Sequence, residues 1–298
     1  MSDLGYGVSA AAVAAAAARA VESSRDDRLV DDPFAALLVE AADVPVRFPL
    51  AWPDDPGSVP QQQLLFLVGS VHVGLRTRFV DDWLRRSPTG QVVLLGAGLD
   101  TRAYRLAWAD GTTVFEVDQA SVLAFTDRAL AAAGFTPACT CHNVPVDVTS
   151  DWREALRAAG LDTTRPVTWI VEGLLPYLNA GLQEDLFEGI VALSAPGSCA
   201  VVERATALPG IPQAGPPSRS GTPDPARVLA DAGWAVGEHP LAEVSDTYHR
   251  PLIDPGLAAA LVAAHHHQAH FAPHPSATGS TGAVPSGGGF VTATSPAG

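Results

Sequence analysis

From Gln91 onward, short apolar runs alternate with helical patterns, and nothing else in the chain restricts its fold as tightly. The runs are VVLL (92–95), TVFEV (113–117), NVPV (143–146), VTWIV (167–171) and CAVVE (199–203). Strands with one face in water would show a polar residue at every second position. Nearly continuous apolar runs belong to a parallel sheet covered on both faces. Helical patterns at about 119–133, 151–159 and 181–193 separate the runs, making five βα units in about 110 residues. A helix at 225–232, a strand near Trp234–Val236, a helix at about 255–271 and a last strand GGFVTAT (288–294) complete the sheet.

The front of the chain has no strand signal. Residues 8–42 read as two helices separated by SSRDDRLVDDP, where Asp32 can cap the second helix and Pro33 suits its first turn. Residues 43–60 are a proline-rich loop. A long helix then runs over 61–86, with Leu64, Leu67, Val68, Val71, Leu75, Phe79 and Trp83 at helical spacing. The expectation is one domain over 1–298, with a helical cover (1–88), an α/β core (89–298) and a Pro/Gly-rich, lid-like insertion at 205–225.

A hydrophobic content of 47% over 298 residues is ample for a large core. The formal charge of −14 repels phosphate backbones and anionic lipids, so neither nucleic acid nor a membrane surface is expected as a partner. Three cysteines do not make a disulfide framework. The Ala-rich start lacks the basic flank of a secretory signal, and a cytoplasmic protein is expected.

Chemistry concentrates where the runs end. QVVLLGAGLDTRAYRL places Gly96, Ala97 and Gly98 between a strand and a helical stretch, a turn whose backbone N–H groups a polar or anionic cofactor can approach. A dinucleotide fingerprint requires a third glycine at position 101, which is Thr101. Asp118, followed by Gln119, closes the next strand, where a carboxylate can accept both ribose hydroxyl protons. Asp147 and Val148 follow the third run, placed for an adenine amino group and ring. Glu172 and Gly173 follow the fourth. Each acid taken singly is ordinarily a helix cap. Their coincidence at successive strand ends points to one nucleoside-binding crevice.

LLGAGLDTRAYRL, FEVDQ, VPVDVTSDWREAL and EGLLPYL, with AVAAAAARAVESSRDDRLVDDPFA, RTRFVDDWL and the terminal GGFVTAT, resemble the class I S-adenosylmethionine-dependent methyltransferases. The resemblance is to the leucine carboxyl methyltransferase-like family, with its many bacterial members of unassigned substrate. It implies a Rossmann-like α/β fold with a seven-stranded, mostly parallel sheet, an antiparallel last strand and an N-terminal helical cover. It also implies that Gly96 to Gly98 face the methionine part of the cofactor, Asp118 the ribose, Asp147 and Val148 the adenine, and Glu172 the amino group. Arg76 or Arg78, from RTR, would pair with the methionine carboxylate.

The activity so implied is methyl transfer from S-adenosyl-L-methionine to a carboxylate, phenolic or alcoholic oxygen of a small molecule. A carboxylate is already ionised and needs no general base, whereas a phenol or alcohol benefits from one. His249 (in DTYHRP) and Tyr177 are the candidates for lining the acceptor pocket. The rivals are a nicotinamide-dependent oxidoreductase, which Thr101 speaks against, and a cofactor-binding protein without catalysis. CTCH (Cys139, Cys141, His142) is too compressed for a zinc site and reads as a strand and its flank. The histidine run at 265–274 reads as a solvated helix end rather than a metal site.

Overall fold

The computed structural model describes residues 9–86, 89–204, 223–269 and 288–297, with backbone alone over 265–269. Three helices lead: α1 (Ala10–Ser23), α2 (Ala35–Ala41) and α3 (Gln61–Arg86). β1 (Gln91–Leu95), β2 (Thr113–Asp118), β3 (Thr140–Pro145), β4 (Thr168–Val171) and β5 (Cys199–Arg204) then alternate with α4 (Arg102–Arg105), α5 (Ala120–Ala132), α6 (Trp152–Ala158) and α7 (Ala180–Ala192). The chain ends with α8 (Pro225–Asp231), β6 (Ala235–Pro240), α9 (Leu241–Thr247), α10 (Pro255–Ala269) and β7 (Gly289–Thr294).

The seven strands lie in the order β3-β2-β1-β4-β5-β7-β6. β1 to β5 pair in parallel, and β7 enters antiparallel between β5 and β6. The seven-stranded sheet with its antiparallel last strand is therefore present. Its order reverses between β1 and β4, and that switch point is where an open α/β sheet leaves a crevice beyond its carboxyl ends.

The period-2 alternation of the buried strands sorts side chains onto two faces. Val93, Leu95, Phe115, Val117, Trp169 and Val171 pack under α6, α7 and α8 through Trp152, Phe187, Ile190 and Leu229. Val92, Leu94, Val114 and Ile170 pack under α3 and α9 through Val71, Leu75, Phe79 and Val244. Both faces are apolar, which is why these strands read as continuous runs. The two edge strands, β3 and β6, are longer than the runs NVPV and 234–236 suggested. Most of their added residues are exposed or half-exposed, so hydrophobicity did not mark them. Cys141 and His142 are residues of β3 and Cys139 is its flank.

One packing contact leaves no room for change. A Cβ on Gly189, in α7, would stand 2.4 Å from Cζ2 of the fully buried Trp152 and 2.5 Å from Arg153 Nε. Alanine favours a helix by up to about 1 kcal/mol over glycine, but this overlap is worse than the typical overpacking cost of about 1–3 kcal/mol. Gly189→Ala is expected to lower the melting temperature by several degrees, and an unchanged or raised midpoint in calorimetry would contradict the packing described.

Asp32 does not occupy the N-cap position of α2. That position is Phe34, without a side-chain bond of its own; Asp32 Oδ1 accepts the Phe34 N–H at 3.2 Å, and the buried Asp32 carboxylate also faces Arg19 of α1 at 2.8 Å. Its Oδ2 also accepts the Thr101 hydroxyl at 2.7 Å. The position where a dinucleotide fold needs its third glycine thus holds a side chain that ties the helical cover to the turn after β1. Of the insertion read at 205–225, residues 205–222 lie outside the described residues, while Asp224 caps α8 and Pro225 begins it; the run His270–His274 and the side chains of His265, His266 and His267 also lie outside the described residues. No described helix is long and apolar enough to cross a membrane.

Candidate cofactor site

The turn after β1 has left-handed backbone at Gly96 (φ 71°) and Gly98 (φ 56°), which glycine adopts without strain. Its N–H groups, however, do not face outward as the sequence suggested. Gly96 and Ala97 both donate to Val117 O, at 2.9 and 3.0 Å, and Gly98 donates to Asp118 Oδ2 at 2.7 Å. A phosphate cradle needs free backbone donors, and these three are consumed.

Asp118, ending β2, also accepts from Gln119 N at 2.7 Å on its other oxygen. Each carboxylate oxygen keeps a further lone pair for hydroxyl donors. Burial raises the Asp118 carboxyl, and the bonds from Gly98 and Gln119 partly offset that. Asp147 lies just past β3, held below its ordinary range by the backbone and hydroxyl bonds from Thr149. Gln119 Nε2 reaches Asp147 Oδ2 at 3.4 Å, so the ends of β2 and β3 are linked. Val148 packs its side chain against the core on this side.

Glu172, directly after β4, meets two arginines: Arg102 Nη2 at 2.9 Å and Arg76 Nε at 2.8 Å. Burial by itself would push this carboxyl up, but Arg102 and Arg76 hold it at about 2. The Arg76 Nε contact lies outside hydrogen-bond geometry, leaving a buried N–H without an acceptor. Arg76 Nη1 also reaches Glu203 Oε2 at 3.2 Å. Arg78 goes elsewhere: it is over a third exposed, pairs with Asp82 at 2.9 Å and lies over the Tyr248 ring. Of the two arginines in RTR, only Arg76 reaches the strand ends.

These contacts belong to a longer chain of alternating charge. It runs from Arg19 through Asp32, Arg105, Asp81, Arg102, Glu172, Arg76 and Glu203 to His72, with Asp100 as a branch on Arg102. Its five carboxylates outnumber its four guanidiniums, so one negative charge is left over beside the switch point unless His72 is protonated. A ligand with a net positive charge fits that excess, and the spent N–H groups of the turn disfavour a pyrophosphate. The unsatisfied Nε of Arg76 fits a carboxylate on the same ligand.

Tyr177 sits in a short 3-10 turn (Leu175–Tyr177) after the β4 loop and is 41% exposed. Among the described residues, no hydrogen bond or ion pair joins the His249 side chain to the strand-end residues. His249 occupies a left-handed position (φ 51°) just past α9, its side chain exposed, its N–H bonded to Asp246 O. Residues that sequence reasoning passed over as site members are Arg102, Glu203 and His72, joined by Asp81 and Asp32. For Glu203 a signal was present, since the apolar run CAVVE (199–203) also closes in an acid.

The sequence profile of a family described as leucine carboxyl methyltransferase matches residues 12–191, more than half of the chain. A relative from Saccharopolyspora erythraea, provisionally named an S-adenosyl-L-methionine-dependent methyltransferase, is 41% identical over 270 residues, spanning 85% of this chain and 92% of its own. One from Mycobacteroides abscessus, with the same provisional name, is 46% identical over 217 residues, 72% of this chain and 67% of its own. A crystal structure of a provisionally named methyltransferase from Thermobifida fusca is a distant likeness, 15% identical with a TM-score of 0.45 over 95% of this chain and 94% of that one. The extent of the profile match and of the first relative's alignment leads to one assignment: the chain belongs to the leucine carboxyl methyltransferase family.

Proposed function

We propose that this methyltransferase carries the methyl group of S-adenosylmethionine to an oxygen of a small-molecule acceptor, a carboxylate or a phenolic or alcoholic hydroxyl. The observation that carries the reading is the electrostatic character of the switch-point crevice, where the buried chain of charge has one more carboxylate than guanidiniums and the N–H groups of Gly96, Ala97 and Gly98 are spent within the protein. S-adenosylmethionine has two cationic groups and one anionic one, and so complements it. A nicotinamide dinucleotide, which carries a pyrophosphate, does not.

When bound, the sulfonium supplies a methyl group already activated toward nucleophiles. The chain's task is to hold and orient. Gly96, Ala97 and Gly98 flank the methionyl part, with Glu172 and Gly173 beside its ammonium and Arg76 meeting its carboxylate. Asp118 accepts the ribose hydroxyls with Gln119 next to it, and Asp147 and Val148 take the adenine. The buried chain of charge from α1 to β5 locks the helical cover over this region, which excludes water from the reacting groups. Tyr177, past the β4 loop, lines the acceptor side. The acidic surface argues against nucleic acid as acceptor.

Calorimetric titration with S-adenosylhomocysteine, S-adenosylmethionine and NAD tests the donor. Binding of the first two with no NAD heat is expected, and NAD binding alone would overturn the reading. Asp118→Ala removes charge-assisted hydrogen bonds of about 1.5–3 kcal/mol, so S-adenosylhomocysteine affinity should fall roughly ten- to hundredfold. An unchanged affinity would dismiss Asp118 as the ribose partner. A methylated product from a panel of carboxylates and phenols, identified by mass, decides the acceptor chemistry and excludes a non-catalytic binder.

A further inference from the structure

Glu203 is the penultimate residue of β5, next to β4 in the sheet, and its carboxylate is nearly inaccessible to solvent. Three elements meet on it. Arg76 Nη1 and His72 Nε2, one turn apart on α3, reach Oε2 and Oε1 at 3.2 and 3.0 Å. Gly173 N, in the turn after β4, donates to Oε2 at 2.7 Å. Gly173 has φ 66°, and a Cβ there would come into van der Waals contact with Arg76 Nη1 at 3.5 Å, so turn and guanidinium are neighbours. Burial alone would push Glu203 up, but Arg76 and the bond from His72 outweigh it and keep the carboxylate ionised.

A guanidinium shared between two carboxylates has its plane set by both. Arg76 faces Glu172 along Nε and Glu203 along Nη1. Without Glu203 it would be free to turn fully onto Glu172, closing the bidentate pair that arginine and carboxylate prefer. It would then have less to offer a ligand carboxylate. His72 in turn holds Glu203, and the Gly173 N–H ties the β4 turn to the same anchor.

We propose that Glu203 is a positioning residue for the methionyl end of the cofactor: it holds Arg76 open toward the ligand carboxylate and fixes the Glu172–Gly173 turn. This rests on the crevice taking S-adenosylmethionine. The test compares S-adenosylhomocysteine with 5′-methylthioadenosine, which keeps the nucleoside and lacks the amino-acid end. In Glu203→Gln, S-adenosylhomocysteine should bind about tenfold or more weakly, the loss of a charge-assisted contact, while 5′-methylthioadenosine stays within about twofold. In an Arg76→Ala background the same change should cost clearly less than in the unaltered protein, since the route through Arg76 is cut and only the hold on the Gly173 N–H remains.

Equal losses for both ligands would mark a merely structural role, and unchanged S-adenosylhomocysteine affinity would remove the role altogether. Glu203→Asp keeps the charge but withdraws it by one methylene. It should show a smaller selective loss, and wild-type affinity there overturns the proposal, as does failure of both variants to fold by circular dichroism. If the unaltered protein binds neither ligand, the cofactor reading itself has failed.

Discussion

Replacing Arg102 by methionine is expected to cost about 3–5 kcal/mol of stability, because it removes a guanidinium shared by three carboxylates from a buried network. Arg102 is 2% exposed and meets Asp81 Oδ1 at 2.8 Å, Glu172 Oε2 at 2.9 Å and Asp100 through a short contact. Asp81 retains Arg105 and Glu172 retains Arg76, but Asp100 loses its ion pair. Methionine approximates the length of the removed chain, so the lost charge dominates the outcome. At about 2–4 °C per kcal/mol for a domain of this size class, the melting temperature should drop by about 6–20 °C. Glu172, now held at about 2 with Arg102 as its leading favourable partner, should titrate higher, and S-adenosylhomocysteine should bind more weakly.

Arg78→Ala is the control. Its partner Asp82 is an i,i+4 neighbour near the surface, a pair worth about 1 kcal/mol at most. A loss below about 1 kcal/mol for Arg102→Met, comparable to that control, would mean that the buried chain of charge does not act as a unit.

How much of this was legible beforehand depends on the distance over which each residue works. The core strands announced themselves because Val93, Leu95, Phe115 and Val117 are buried on one face and Val92, Leu94 and Val114 on the other. Asp118 and Asp147 were legible because they end those runs. Asp32 looked like a cap because it precedes Pro33 and a helix. Its partners Arg19 and Thr101 stand 13 and 69 residues away, and no local pattern encodes them.

The choice between Arg76 and Arg78 could not be made from periodicity either. An apolar stripe identifies an inner face only when the opposite face is wet. Over Phe66–Thr77, α3 is buried on all sides, between α1 on one side and the sheet on the other. The turn at Gly96–Gly98 was placed correctly but its donors were not, because whether an N–H points inward depends on the neighbouring strand's Val117 carbonyl.

The second large effect concerns a carboxyl that has no cation. Glu116 lies on β2 two residues before Asp118, 4% exposed, with Oε1 lacking a hydrogen-bond partner. Burial is the main cause of its shift, with Asp100, Asp127 and Asp118 adding repulsion and Cys141 opposing through a hydrogen bond. Together they push the group up to about 8, so it is mostly neutral at pH 7. A neutral carboxyl with one unpaired oxygen is tolerable in a core, whereas a carboxylate there is not. In the unfolded chain the same group ionises near 4.5.

Between those two values the native state binds more protons than the unfolded one, so this contribution to stability is complete below about pH 4.5 and is lost as pH rises through about 8. The full swing is on the order of 5 kcal/mol as an upper bound. Glu116→Gln removes the titration and keeps the shape. Its melting temperature should match the unaltered protein near pH 5 and exceed it by about 10 °C or more at pH 9. The same difference at both pH values would show that Glu116 ionises without cost, through water or a cation reaching it. The sign also bears on function: with Glu116 neutral, the negative charge on this face of β2 is left to Asp118, where the ribose is placed.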